Sequence, residues 1–294
     1  MNSAVRPRLY GIGMAATMLA VTAALTGATP ARSTPSPTHP APSASPEPDR
    51  RPDRDDRDKN RDRDRDGRHD QGEPSSKPAD AAEQAGKADC RRVKCVALTF
   101  DDGPGPYTKT LLRHLAKYGA RATFFVVGQN VGAYPDVVRR TAEAGHEIGN
   151  HTWSHPDLTK LSRAAIKSQL TRTDEAVESA AGVTPGLVRP PYGALDRDVR
   201  RQSHRPLVLW SVDTLDWRHR DSARVARVSL KRVRPGSVVL FHDIHPTTVK
   251  ALPRVLKGLS ARGYRFVTVS ELFGGRPPEL VYNAPARRLS GGPK

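Results

Sequence analysis

The stretch Cys95-Val96-Ala97-Leu98-Thr99-Phe100-Asp101-Asp102-Gly103-Pro104 decides how the folded part of this chain is read. Its first six residues form a short apolar run, the pattern of a strand buried on both faces. Two carboxylates follow at once. Side chains alternate faces along a strand, so Asp101 and Asp102 at its end can serve two different roles. Gly103 and Pro104 then stop the strand and turn the chain. Taken alone, an Asp-Asp-Gly turn is more often a solvated acidic loop, so its meaning depends on what stands at the ends of the other strands.

The same pattern recurs downstream. Further runs suited to buried strands lie at 123–127, 147–150, 187–189, 207–212, 238–242 and 266–269, and amphipathic helical stretches stand between them at 108–118, 135–144, 162–180, 222–233 and 247–261. Seven strand runs alternating with helical stretches predict an α/β fold, a parallel sheet with helices outside. Closure into a barrel is favoured because polar motifs gather at the strand C-terminal ends, where α/β barrels place their chemistry.

The remainder of the chain does not share this pattern. Of its 294 residues only 36% are hydrophobic and 5% aromatic, too polar for a single globule throughout. Residues 1–31 carry Arg6 and Arg8, an apolar stretch over 9–25 and small residues Thr26, Gly27 and Ala28. That order reads as a secretory signal peptide cleaved after Ala28 or Ala31, with retention as a membrane anchor the alternative. A polytopic membrane protein is excluded. Residues 32–89, first Pro/Ser/Thr-rich and then an Arg-Asp alternation, cannot bury enough apolar surface to offset ordering entropy and are expected to be a disordered linker. The folded domain is expected at 90–274 and an irregular basic tail at 275–294.

The chain's net charge of +17 falls entirely on the part from Cys90 onward, because the linker's 12 positive and 14 negative residues cancel the two arginines of the signal. A basic surface suits anionic polymers, while the domain shows no aromatic-basic stacking motif of a nucleic-acid binder. The two cysteines, Cys90 and Cys95, are too few for a closed zinc site and in an exported protein suggest a small disulfide loop before the first strand.

The third strand runs into Asn150-His151-Thr152-Trp153-Ser154-His155-Pro156. Two histidines four apart on one turn, opposite a strand-end carboxylate, give a His₂Asp set that leaves a fourth position for water, the pattern of catalytic zinc. Cobalt or manganese would also accept two nitrogens and one oxygen. Three more motifs follow strands: Arg189-Pro190-Pro191-Tyr192, Asp213-Thr214-Leu215-Asp216-Trp217 and Leu240-Phe241-His242-Asp243. The two prolines donate no backbone hydrogen bond, which leaves the Tyr192 N–H as a candidate free donor. Any one of these motifs could be loop chemistry or packing, whereas five at five strand ends point to a site.

Together these residues resemble the polysaccharide deacetylase family, also called the NodB-homology domain or carbohydrate esterase family 4. Its five motifs appear in order over about 96–272. The one departure is the polar Arg201-Gln202-Ser203-His204-Arg205, where members often carry an apolar helix end. The resemblance implies a distorted (β/α)7-type barrel that removes acetyl groups from polysaccharides with a divalent metal. It implies Asp102, His151 and His155 as metal ligands, Asp101 as general base held by Arg189, and His242 as general acid partnered by Asp216. Tyr192 would face the oxyanion through its N–H, and Trp217 and Leu240 would line the pocket for the acetyl methyl.

The expected substrate is N-acetylglucosamine of peptidoglycan, with chitin oligosaccharides and acetylated xylan as alternatives, and a non-catalytic wall-binding barrel as the competing class. The expected setting is a monomer, secreted or associated with the cell wall. Its surplus charge would rest on anionic wall polymers rather than nucleic acid, and it would meet a membrane only if the N-terminal segment is retained.

Overall fold

The computed structural model describes residues 88–283, so the expected signal peptide, nearly all of the expected linker and the end of the expected tail lie outside the described residues. The central strand is β1 (Lys94–Asp101), buried from Cys95 onward. Its outward residues Val96, Leu98 and Phe100 pack beneath helices, while Cys95, Ala97, Thr99 and Asp101 alternate to the barrel interior. Phe100 stacks at 5.2 Å on Phe124 and at 5.4 Å on Phe241, aromatic neighbours from the two flanking strands.

Those flanking strands are β2 (Thr123–Val126) and β6 (Val238–His242), both parallel to β1. Outside them come β3 (Glu147–Asn150) and β5 (Val212–Asp213), while β7 (Tyr264–Val267) pairs with the first half of β1. The register sets Asp101 directly beside His242 on β6, which places a carboxylate and an imidazole at one sheet end.

Helices cover the outside. They are α1 (Thr108–Ala116), α2 (Gly128–Ala133), α3 (Pro135–Glu143), α4 (Arg163–Ala181), α5 (Arg197–Ser203), α6 (Asp216–His219), α7 (Ser222–Arg232), α8 (Pro246–Ser260) and α9 (Val269–Leu272). Their ends follow local chemistry. Ser162 accepts the Ala165 N–H at the start of α4, and Gly182, at φ 67°, closes it in the left-handed conformation that glycine adopts without strain. In α8 the residues Leu252, Val255, Leu256 and Leu259 recur at helical spacing and are fully buried.

Two expectations about the strands are corrected. The stretch 187–189 forms only isolated bridges from Val188 to Asn150 and Leu207, and 207–212 splits into β4 (Leu207–Val208) and β5. The physical reason is Arg189. Its Nε donates to the Val208 carbonyl and its Nη2 to the Leu209 carbonyl, each at 3.0 Å, and Pro190 and Pro191 have no N–H to extend a ladder. β4 keeps its single bridge to Val188 and pairs as a strand with β8 (Leu280–Val281), so part of the stretch expected to be an irregular tail supplies a strand. The barrel is distorted at this seam.

A disulfide joins Cys90 and Cys95, as their spacing suggested. Among the described residues no helix is long and apolar enough to cross a membrane.

Candidate active site

At the C-terminal ends of β1, β3, β5 and β6 lies a cavity of about 420 Å³. Asp101, Asp102, His151, His155, Tyr192, Trp217, Leu240 and His242 all line it, and Arg189 and Asp216 stand behind Asp101 and His242. All ten residues singled out in the sequence are therefore brought together. Trp210 and Asp213 also line the cavity; Trp210 is a neighbour that the sequence did not single out.

Asp102, His151 and His155 form one group whose ligand atoms lie within 4.8 Å of one another. Asp102 Oδ1 is 3.5 Å from His151 Nε2 and 3.4 Å from His155 Nε2, and this oxygen is buried with no hydrogen-bond partner. A buried, unpartnered carboxylate oxygen facing two imidazole nitrogens is costly unless a cation completes it. His151 Nδ1 is 2.6 Å from the Arg189 carbonyl, which can only accept, so the proton sits on Nδ1 and Nε2 presents its lone pair. Burial pushes the His151 imidazole down to about 3 despite the Asp102 charge, which keeps it neutral as a ligand must be. The donor set fits a divalent metal ion.

The local backbone is unusual where the donors are placed. Asp102 (φ 69°), His155 (φ 59°) and Tyr192 (φ 61°) all adopt the left-handed conformation that costs non-glycine residues energy. The surroundings over-determine it. Asn150 accepts the Thr152 N–H at 2.8 Å, and Thr152 Oγ1 accepts the His155 N–H at 3.0 Å, so the histidine loop is tied back to β3. The Asn130 amide donates to the Asp102 carbonyl at 2.7 Å.

Arg189 is fully buried in the barrel. Its Nη1 donates to Asp101 Oδ1 and to Thr99 Oγ1, each at 2.7 Å, and its guanidinium lies 4.2 Å over the Phe125 ring. Burial raises the Asp101 carboxyl above the ordinary range, while the charges of Arg189 and His242 pull it back down.

Across the cavity, the buried Asp216 accepts from His242 twice, from Nδ1 and from the backbone N–H, each at 2.8 Å. Thr248 Oγ1 adds a third bond at 2.7 Å. Burial works against a charged ring at His242, but the Asp216 hydrogen bond and charge, reinforced by Asp101 and Asp102, outweigh it and push the imidazole up to about 9. With Nδ1 held by Asp216, Nε2 is the free proton-bearing atom.

Tyr192 follows the two prolines in a single 3₁₀ turn whose bonds are donated by Gly193 and Ala194, which leaves its own N–H outside that pair. Its ring is exposed and meets His155 edge-on at 4.8 Å. Trp217 is half exposed at the rim, whereas Leu240 is buried at the cavity floor.

Sequence reasoning placed Asp243 in a strand-end motif but gave it no role. It is fully buried, accepts a hydrogen bond from Thr108 Oγ1, and packs against Gly103, where any Cβ would lie 2.3 Å from its Oδ1. Burial pushes its carboxyl up to about 7. The adjacency of His242 and Asp243 in the chain was the only available signal, and it could not show that Asp243 braces the turn after Asp102.

An α/β barrel with a candidate metal cluster and a facing acid–base set at its strand ends is an enzyme-like protein. The chain belongs to the polysaccharide deacetylase family, whose sequence profile matches residues 88–205. It is 43% identical over 182 residues to the peptidoglycan-N-acetylglucosamine deacetylase PgdA of Listeria monocytogenes, covering 62% of this chain and 39% of PgdA. To a peptidoglycan-N-acetylglucosamine deacetylase of Bacillus cereus it is 38% identical over 186 residues, covering 60% of this chain and 68% of that protein. Among solved structures, one described as T48 deacetylase with substrate superposes with a TM-score of 0.65 at 49% identity, over 66% of this chain and 99% of that one. The chain thus spans about two fifths of the length of PgdA.

Proposed function

We propose that this protein hydrolyses acetyl groups from a cell-wall polysaccharide, N-acetylglucosamine of peptidoglycan, and releases acetate. The observation that carries the reading is the opposition, across one cavity, of the Asp102–His151–His155 cluster with its unpartnered oxygen and the Asp216–His242 pair. The names of the Listeria and Bacillus relatives support the substrate.

Asp102, His151 and His155 would hold a divalent ion, for which zinc suits two nitrogens and one oxygen and cobalt or manganese are the alternatives. Such an ion supplies an acidified water and a polarised carbonyl. The remaining work falls to the chain's own groups. Asp101 takes a proton from the attacking water; burial brings its pKa nearer the working range of a base, while the Arg189 bond keeps it ionised and aimed. The Tyr192 N–H meets the developing oxyanion, a role worth about 3–4 kcal/mol per donor in other hydrolases. His242 is charged at neutral pH and gives the Nε2 proton to the departing nitrogen, and Asp216 stabilises the imidazolium beforehand. Leu240 and Trp217 bound the space for the acetyl methyl.

The order of residues in 1–31 supports export, and with it secretion or association with the wall. Acetate release from peptidoglycan, chitin oligomers and acetylxylan, assayed side by side with and without a chelator, tests the reading. Chelator-insensitive release, or none from any of the three, overturns it.

A further inference from the structure

The ends of β5 and β6 lead into α7 and α8, and these two helices carry a concentration of charge that the deacetylase reading leaves unexplained. Between Ser222 and Arg265 stand ten Lys and Arg residues and a single acid, the buried Asp243. None of the ten cations lies within ion-pair distance of a carboxylate among the described residues.

The cations are ordered rather than scattered. On α7, Arg224, Arg227 and Lys231 stand at i, i+3 and i+7; on α8, Lys250, Arg254 and Lys257 stand at i, i+4 and i+7. Each set occupies one helix face, in steps of about 5 Å and over a length of about 10 Å. The opposite faces, Val225, Ala226 and Ser229 on α7 and Leu252, Val255 and Leu256 on α8, are buried. The helices also approach closely. A Cβ at Gly258 would meet Leu230 Cδ2 at 2.6 Å, and Arg262 donates to the Leu230 carbonyl, so the two cationic rows run side by side. They start at the cleft, since α8 begins four residues after His242 and α7 six residues after Asp216.

Two parallel rows about 10 Å long suit an extended polyanion rather than a single ion, and three of the six cations in the rows are arginines, whose fork matches phosphate oxygens. No exposed large apolar or aromatic side chain lies between Trp217 and Tyr282. The face therefore lacks both the stacking platform of a single-strand nucleic-acid binder and the apolar wedge of a membrane-surface helix. We propose that the α7–α8 face docks a linear phosphodiester polymer and holds it alongside the catalytic cleft. This goes beyond the deacetylase reading and does not depend on it, because the test reads binding directly.

The test measures binding of the full chain to poly(glycerol phosphate) over a series of salt concentrations. One variant carries Arg227→Gln, Lys231→Gln, Arg254→Gln and Lys257→Gln, all exposed helix positions. A control carries Lys167→Gln, Arg197→Gln, Arg200→Gln and Arg201→Gln, which remove the same charge from exposed positions on α4 and α5. The α7–α8 variant is expected to bind at least tenfold more weakly. Its slope of log K against log salt should shrink by about three, because each neutralised phosphate contributes about 0.7. The control keeps both values within twofold of the parent. Equal losses in the two variants would show that net charge alone acts and overturn the proposal. So would tighter binding to duplex DNA or to anionic-lipid vesicles than to poly(glycerol phosphate) at matched ionic strength.

Discussion

Arg189 Nη1 lies 2.7 Å from Asp101 Oδ1, and the two side chains, from the seam beside Val188 and from the end of β1, are both buried. The arginine fills the barrel interior where the sheet narrows to the single bridges of Val188, so it supports the seam and the proposed base at once. Arg189→Met leaves a buried carboxylate without its counter-charge and should cost about 3–5 kcal/mol of stability. Asp101→Asn leaves the buried Arg189 guanidinium without its counter-charge and should cost a comparable amount. Urea unfolding of the two single variants and of the double variant checks this: the double should lose less than the sum of the singles, and a loss equal to the sum would mean that the pair is not coupled.

Asp101→Asn should abolish turnover and leave metal content at the parental level, since Asp101 is not one of the three clustered donors. His151→Ala should lose both, and chelation of the parent protein should match it. Metal analysis beside acetate release separates the roles; comparable deacetylation by the Asn variant would remove Asp101 from the role of base.

The His242 imidazole, raised to about 9, must be protonated to serve as acid. It is charged below that value and loses its proton as pH rises through it, so kcat/KM should fall on the alkaline side near pH 9. Asp216→Asn removes the charge that favours the imidazolium and should move this limb downward, with activity lost at lower pH. An alkaline limb that stays in place in the variant speaks against the Asp216–His242 pairing.

Gly103→Ala puts a methyl 2.3 Å from Asp243 Oδ1 in a fully buried place. Overpacking of this kind costs about 1–3 kcal/mol. The turn that follows Asp102 must then shift, so metal affinity should fall together with stability. Adding Asp243→Ala opens the space, and the double variant should be less destabilised than the sum of the two singles. Strict additivity would show that the two residues do not contact.

Much of the site was legible because its chemistry is local in the chain. A His-x-x-x-His spacing brings two imidazoles to one turn, and a carboxylate pair at a strand end splits between two faces, as Asp101 and Asp102 do. The seam was not legible. Residues 187–189 have the composition of a strand, but whether they join a ladder depended on the Arg189 side chain taking the Val208 and Leu209 carbonyls, a contact across about 20 positions. The pairing of β8 with β4 was hidden for the same reason, because a two-residue strand in a Pro/Gly-rich stretch has no period to detect.

By itself, then, the sequence determined the alternation of buried strands and amphipathic helices, the family, the identity of the ten candidate site residues and the excess of positive charge. The alternation and the charge follow from composition and short spacings, and the family and the ten residues from the resemblance of the five motifs, all of which the chain carries before it folds. Only the tertiary structure decided that β1 and β6 pair in the register that sets Asp101 beside His242 and that Asp243 braces Gly103. It alone put Asp102, His155 and Tyr192 in left-handed backbone and aligned the cations of α7 and α8 in two rows. Each of these depends on distances between residues far apart in the chain, which packing sets and no local pattern encodes.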